Sequence, residues 1–341
     1  MKYIRKLPEA EELFDEYSLT PKQIVNRQEF VGQIRDIISG KENRKLLLVG
    51  PCSADREDSV LDYVARLAKL NDEVKEKFLI IPRVYTGKPR TSGMGYKGLL
   101  HHPYINSEND DLLDGIIAAR RLHYRVIQET GLFCVDEMLY PESIYYFVDL
   151  LAYIAVGARS VEDQSHRMTA SGIDVPVGMK NPVGGDTTAL LNSILAAQNK
   201  HLMSYRGYEV QTEGNDYAHA ILRGYVDNNG KNHSNYHYED LCDFHDKYVG
   251  FNLKNMGVII DCNHSNSGKQ YNEQIRIAKD VFHSCKLNVA INSMVKGLMI
   301  ESYIEDGNQI VGEKIYGKSI TDACIGWEKT ERLIRELAES V

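Results

Sequence analysis

Residues 78–97 read F-L-I-I-P-R-V-Y-T-G-K-P-R-T-S-G-M-G-Y-K, a short apolar run that ends on Arg83 and turns into a loop carrying Lys88, Arg90 and Lys97. No acid follows until Glu108. Arginine and lysine supply the forks and point charges that phosphates and carboxylates need. Gly87, Gly93 and Gly95 let a backbone approach such an anion closely. A basic loop is ordinarily a solvated one. This one follows directly on a buried-type strand, where α/β folds keep their active sites, and it reads as a phosphate site.

The same grammar recurs on both sides of this stretch. Apolar runs stand at Leu46–Gly50 (LLLVG), Phe78–Pro82 (FLIIP), Leu132–Asp136 (LFCVD), Tyr153–Gly157 (YIAVG) and Val175–Met179 (VPVGM). Ala220–Arg223 (AILR), Gly257–Asp261 (GVIID) and Gly297–Glu301 (GLMIE) complete the series, with His201–Tyr205 (HLMSY) competing for the sixth place. Helical patterns such as S-V-L-D-Y-V-A-R-L-A-K-L from Ser59 lie between most of them. Strands buried on both faces and separated by helices are parallel βαβ units. A count near eight predicts an α/β fold of the (β/α)₈ TIM-barrel type over 45–341, with a doubly wound open sheet as the alternative. Residues 1–44 read as a helical N-terminal extension, in which Phe30, Ile34, Ile37 and Ile38 recur at helical intervals before a C-cap at Gly40. The polar stretch 227–240 reads as an exposed loop.

Bulk properties narrow the function. Forty basic against 48 acidic side chains leave a net charge of −8, which argues against a nucleic-acid partner. No apolar run approaches the ~20 residues of a membrane span, and charged residues stand where a signal peptide would need its apolar stretch. Six scattered cysteines without a C-x-x-C pair fit a reducing cytoplasm better than a disulfide framework. The expectation is a cytoplasmic enzyme.

Reactive side chains fall at one end of these runs. Cys52, Arg83, Asp136 with Glu137, Arg159, Lys180, Arg223, His264 and Glu301 each end or follow a run, and a barrel crowds those positions onto its C-terminal rim. Cys52, His264 and Glu301, with Asp322 from the loop after the last strand, give one sulfur, one nitrogen and two carboxylates. That set suits one borderline divalent ion: Mn, Fe, Co or Zn. Singly, each of the four has an ordinary structural role; their joint placement is what favours ligation. Arg83, Arg159, Lys180 and Arg223 form a second set, for phosphate and carboxylate, in which a Lys180 left without an anion would be expensive to bury.

These residues sit in blocks that closely resemble the class I 3-deoxy-D-arabino-heptulosonate 7-phosphate (DAHP) synthases. The blocks are Gly50–Asp55 (GPCSAD), Lys88–Thr91 (KPRT), Gly157–Arg167 (GARSVEDQSHR) and Pro176–Asn181 (PVGMKN). Gly214–Gly224 (GNDYAHAILRG), Asn263–Gln270 (NHSNSGKQ), Glu301–Gln309 (ESYIEDGNQ) and Ser319–Trp327 (SITDACIGW) follow in the same order. The resemblance implies a metal-dependent barrel that condenses phosphoenolpyruvate with erythrose 4-phosphate at the entry to the shikimate pathway. It implies Cys52, His264, Glu301 and Asp322 as metal ligands. It places phosphoenolpyruvate on Arg83, Ala158, Arg159, Lys180 and Arg223, with His264 close by. Erythrose 4-phosphate falls to Lys88, Pro89, Arg90 and Thr91, with Asp322 at the same site. Cys52, His264 and Lys88 are the catalytic candidates, the metal polarising the aldehyde oxygen and Lys88 donating a proton to it.

The chain departs from the family pattern in four places. Ala54 alone stands where Ile-His is usual, and the loop before Lys97 carries an extra residue within Ser92–Tyr96. Asn181 is followed by P-V-G-G-D rather than G-T-D-G, and Asp136 stands where glycine is usual, adding an acid beside Glu137. An aromatic amino acid effector is a family expectation, but the residues that would hold one do not align, so its identity stays open. The N-terminal apolar stripe needs a covering surface, which predicts a homodimer or homotetramer. Two rivals remain: a synthase for arabinose 5-phosphate, whose loop would carry an Asn-Arg-Ser type sequence instead of Pro-Arg-Thr, and an inert barrel, which would have lost a ligand.

Overall fold

The structure, a computed structural model, describes residues 1–14, 16–90, 95–104 and 110–340. Eight parallel strands form its centre. They are β1 (Lys45–Gly50), β2 (Phe78–Pro82), β3 (Cys134–Glu137), β4 (Leu151–Val156), β5 (Val177–Lys180), β6 (Ala218–Leu222), β7 (Val258–Asp261) and β8 (Val295–Glu301). Strands adjacent in sequence pair from β3 through β8, as do β1 and β2, and β1 pairs with β8, Leu46 opposite Gly297 and Gly50 opposite Glu301. The ring closes between β2 and β3 through a bridge from Arg83 to Val135, with the Val84 N–H donating to Val135 O at 3.0 Å. Seven of the eight strands are buried at every residue, as unbroken apolar runs require when a helix layer covers the outside.

Helices α2 (Glu57–Val74), α3 (Leu112–Thr130), α4 (Gln164–Gly172), α5 (Thr187–Gln198), α6 (Tyr238–Gly250), α7 (Gln274–Leu287) and α8 (Trp327–Ser340) supply that layer, and α1 (Pro21–Ser39) precedes the barrel. Helix α2 shows how the sequence specifies them. Glu57 and Asp58 open its first turn, complementing the helix dipole, and Val60, Tyr63, Val64, Leu67 and Leu70 make its buried face. Between β3 and β4 the layer thins to a helical turn at Pro141–Ile144 and a 3₁₀ turn at Val148–Leu150.

Helix α1 begins with a capping box of Thr20 and Gln23 and stops at Gly40, whose φ of 76° is left-handed, as the sequence predicts. Its buried residues Phe30, Val31, Ile34, Ile37 and Ile38 belong to the same core as the strands. The chain's own barrel floor covers the apolar stripe, with Ile38 against Gly257 at the start of β7. The stripe therefore carries no argument for a second subunit.

The sixth strand is Ala218–Leu222, between β5 and β7. The competing run forms an antiparallel hairpin outside the barrel, Leu202–Tyr205 with Tyr208–Gln211, and its alternation of exposed and half-buried residues fits that setting. Within 227–240 the chain is less open than its polarity suggests, since Asn232–His233 returns to pair with Tyr225–Val226.

Candidate active site

A cavity of about 260 Å³ opens at the C-terminal ends of the strands. Cys52, Arg83, Lys88, Pro89, Arg90, Ala158, Arg159, Lys180, Arg223, His264 and Asp322 all line it. Thr91 lies outside the described residues, as do Ser92 and Met94. Among the described residues, seven cationic side chains face the cavity against two carboxylates, Glu137 and Asp322. A larger cleft of about 570 Å³ lies against the Leu202–Gln211 hairpin, but there Arg35 meets Asp174, Glu213 and Asp216, the wrong balance for anions.

The predicted donors converge. Donor atoms of Cys52, Glu301 and Asp322 lie within 4.8 Å of one another, with Cys52 Sγ 3.3 Å from Asp322 Oδ2. Glu301 ends β8 and Cys52 follows β1, the strand paired to it, while Asp322 comes from the loop after β8. His264 stands at the edge of this set, Nε2 3.8 Å from Glu301 Oε1. Its backbone is left-handed at φ 50°, and its Nδ1 lies 2.8 Å from Asp261 Oδ2 at an angle that completes no hydrogen bond.

Glu301 is fully buried. It accepts from Asn263 Nδ2 at 2.6 Å and from Arg83 Nη2 at 2.9 Å. Burial, and then the charge of Glu301, push the Cys52 thiol up to about 12. Burial also works against the Asp322 charge, but Lys88 and His264 outweigh it and hold that carboxyl well below the usual range. The cluster thus draws positive charge. Lys88 meets that demand here, donating to Cys52 Sγ at 2.7 Å and Asp322 Oδ2 at 2.9 Å. One thiol, one imidazole and two carboxylates around a site that attracts a cation fit a borderline divalent ion.

The second set lies deeper. Lys180 donates to Glu137 Oε2 at 3.3 Å, and the Tyr85 ring lies 3.8 Å from the Arg83 guanidinium carbon and 5.2 Å from Lys180 Nζ. Burial disfavours the Glu137 charge, yet Lys180, with Arg83 and Lys88 beyond it, brings the carboxyl below its ordinary value. Gly157 makes room for this pair, because a Cβ there would meet Glu137 Oε1 at 2.5 Å. Among the described residues the Arg223 guanidinium holds only a weak bond, to Ser265 Oγ at 3.5 Å. Its pKa is lowered by burial, which outweighs the opposing charge of Asp261, with Arg159 adding to the lowering. A buried arginine beside another arginine, with no ion-paired carboxylate among the described residues, is a site short of an anion.

The third-strand acids separate. Asp136 is fully buried and faces away from the cavity, accepting from Thr86 N at 2.9 Å and Thr86 Oγ1 at 2.6 Å, with His123 Nε2 at 3.1 Å. It is not among the residues that line the anion pocket. Glu137, one residue on, points the other way and does line it, as alternation along a strand requires.

Tyr85, Asp261, Asn263, Lys269 and Asn181 also belong to the site and were not among the sequence candidates. Tyr85 had a signal: it lies two residues beyond Arg83 and so on the same face of an extended chain. Asn181 had none. Its Oδ1 accepts from the Arg223 N–H at 2.9 Å and from Asn235 Nδ2 at 3.3 Å, joining segments far apart in sequence.

Comparison with known proteins agrees with this geometry. The DAHP synthetase I family matches residues 17–335. A phospho-2-dehydro-3-deoxyheptonate aldolase of Haemophilus influenzae is 36% identical over 91% of this chain and 84% of its own length. A Tyr-sensitive enzyme of that name from Escherichia coli is 37% identical over 90% of this chain and 85% of its own. The solved structure of the Francisella tularensis protein of that name superposes with a TM-score of 0.91 at 32% identity, covering 100% of this chain and 98% of the other.

Proposed function

The chain belongs to the DAHP synthetase I family, and from that premise we propose that it is a 3-deoxy-7-phosphoheptulonate synthase, condensing phosphoenolpyruvate with erythrose 4-phosphate to give DAHP and phosphate. One observation carries the proposal: an under-neutralised cation pocket, with Lys180 and Arg223, opens beside a Cys52, Glu301 and Asp322 donor cluster in a single cavity. A two-anion substrate and an aldehyde need those two sites side by side.

Arg83, Arg159, Lys180 and Arg223 hold the phosphate and carboxylate of phosphoenolpyruvate, with the Ala158 backbone beside them, and Glu137 keeps the Lys180 ammonium in place. Fixing both anionic ends leaves C3 as the free nucleophilic carbon and orients it toward the aldehyde. Lys88, Pro89, Arg90 and Thr91 hold erythrose 4-phosphate so that its carbonyl end reaches the donor cluster. Cys52, His264, Glu301 and Asp322 would hold one divalent ion, Mn, Fe, Co or Zn, which supplies Lewis acidity toward a carbonyl oxygen. As C3 bonds to the aldehyde carbon, Lys88 presents its N–H to the oxygen that gains charge and transfers a proton to it. Water adds at C2, and the phosphate leaves with its bridging oxygen. If Lys88→Met kept kcat and only weakened erythrose 4-phosphate binding, Lys88 would be a binding residue and not the acid.

The division into an N-terminal helical extension over 1–44 and a catalytic barrel over 45–341 belongs to this proposal. So does a cytoplasmic setting, supported by six unpaired cysteines, five of them buried. No described helix is long and apolar enough to cross a membrane. A homodimer or homotetramer is supported by Leu202 and Tyr208, which the hairpin leaves 64% and 73% exposed, and light scattering on the purified protein tests it. Relatives named as Tyr-, Phe- and Trp-sensitive support an aromatic amino acid effector, to be sought by adding each amino acid to the assay.

The deciding assay follows phosphoenolpyruvate consumption with erythrose 4-phosphate or arabinose 5-phosphate, with and without a chelator. Turnover with erythrose 4-phosphate alone, lost on chelation and restored by Mn, is the expected result. Turnover with arabinose 5-phosphate alone would overturn the substrate. Turnover with neither sugar would favour an inert barrel.

A further inference from the structure

Six of the seven cations around the cavity have a role in the reading above, and the seventh is Lys269. It differs from the deep cations in two ways. Arg83, Lys180 and Arg223 are 1%, 4% and 8% exposed, whereas Lys269 is an exposed residue at the rim. Among the described residues no carboxylate pairs with its ammonium, while Lys180, Arg83 and Lys88 each have a carboxylate partner.

The backbone places Lys269 at a cost. Gly268 and Lys269 are both left-handed, at φ 58° and 64°, and only glycine takes that conformation freely. The Lys269 N–H donates to His264 O at 2.8 Å, so this turn is tied to the backbone of the residue whose imidazole stands beside the donor cluster. A glycine would serve the turn better, so the lysine side chain needs a reason of its own.

The strand order supplies one. The Lys88–Arg90 loop follows β2 and Lys269 follows β7, with Cys52 after β1 and Asp322 after β8 between them. A substrate whose aldehyde end meets the donor cluster has its other end free to extend toward the exposed rim. We propose that Lys269 binds the phosphate of the aldose phosphate substrate, acting with the Lys88–Arg90 loop from the other side of the donor cluster. This rests on the synthase reading. It adds a specificity residue for a phosphorylated aldehyde and leaves phosphoenolpyruvate to the deep cations.

The test uses full-length protein loaded with Mn, with KM measured for each substrate in wild type, Lys269→Gly, Lys269→Met and Lys269→Arg. Loss of one charge-assisted contact raises KM for erythrose 4-phosphate on the order of tenfold in the Gly and Met variants. KM for phosphoenolpyruvate and kcat stay within about twofold, and the Arg variant recovers most of the loss. Lys269→Gly relieves the backbone, so its melting temperature equals or exceeds that of wild type, which separates lost binding from lost folding. An unchanged erythrose 4-phosphate KM, or an equal rise for phosphoenolpyruvate, overturns the inference alone. If wild type turns over no erythrose 4-phosphate, the synthase reading fails and this inference falls with it.

Discussion

Replacing Lys180 with methionine removes one half of a buried ion pair, and the geometry sets the size of the effect. The Lys180 and Glu137 side chains are 5% and 8% exposed, with Nζ and Oε2 3.3 Å apart. Coulomb's law at that distance gives about 5 kcal/mol at an effective dielectric constant near 20. The orphaned carboxylate keeps some compensation from Arg83 and Lys88, and it faces a cavity that admits water. The loss therefore falls at the low end of the usual ~3–5 kcal/mol for breaking a buried pair, about 3 kcal/mol. In wild type the Glu137 pKa is depressed, so its stabilisation is present above the ordinary carboxylate range and disappears as pH falls through the folded value. Without Lys180, burial raises that pKa, so the variant's deficit is greatest near pH 8 and shrinks as the pH falls and Glu137 takes up a proton. Urea unfolding near pH 8 and at lower pH measures the deficit. With Lys180 in its proposed role on the substrate anion, kcat/KM falls about 100-fold or more. The pair Lys180→Met with Glu137→Leu recovers stability to within ~1 kcal/mol without recovering turnover. A single variant as stable as wild type near pH 8, or a double variant that regains activity, would refute the reasoning.

Other perturbations follow from the same contacts. Asn263→Ala removes the 2.6 Å donor to Glu301 and lowers metal affinity roughly 10- to 100-fold, read by titrating Mn against a competing chelator. Lys296, buried at the barrel floor, is held by burial at about 8 and not near 10.5. That penalty is full below pH 8 and fades as pH rises toward 10.5, so Lys296→Met raises the melting temperature at neutral pH, by up to about 3 kcal/mol of stability. His219 is lowered by burial to about 4 and lies 2.6 Å from the Tyr153 hydroxyl inside the barrel. The unfolded chain binds that proton first, so stability falls as pH drops from about 6.5 to 4, by up to about 3 kcal/mol. His219→Gln flattens the slope, and denaturant midpoints across that range measure it.

Much of this protein was legible in one dimension. Eight apolar runs with helices between them predict a parallel barrel, because a strand covered on both faces has no polar face to alternate. The barrel in turn predicts that Cys52, Arg83, Lys180, Arg223, His264 and Glu301 share a rim, since each stands at the C-terminal end of its strand. The sixth strand shows the limit. Ala218–Leu222 and Leu202–Tyr205 are both short runs, and only the pairing of the first with β5 and β7 leaves the second outside.

What composition and spacing could not decide was direction and partnership. Asp136 and Glu137 are adjacent acids, and the pleat sends one to Thr86 and His123 and the other to Lys180. Helix α1 carries an apolar stripe whatever covers it, and the floor of its own barrel does so. Asn181, Asn263 and Lys269 fall within blocks of family resemblance, but nothing in composition or spacing assigns them a task. Their roles arise from hydrogen bonds and a left-handed turn that exist only once distant segments are brought together. Sequence determined which strand ends bring reactive side chains to the mouth, because strand ends are a one-dimensional property. Tertiary structure decided which of them neutralise one another and which remain charged toward a substrate, because that depends on distances of a few ångströms across the ring.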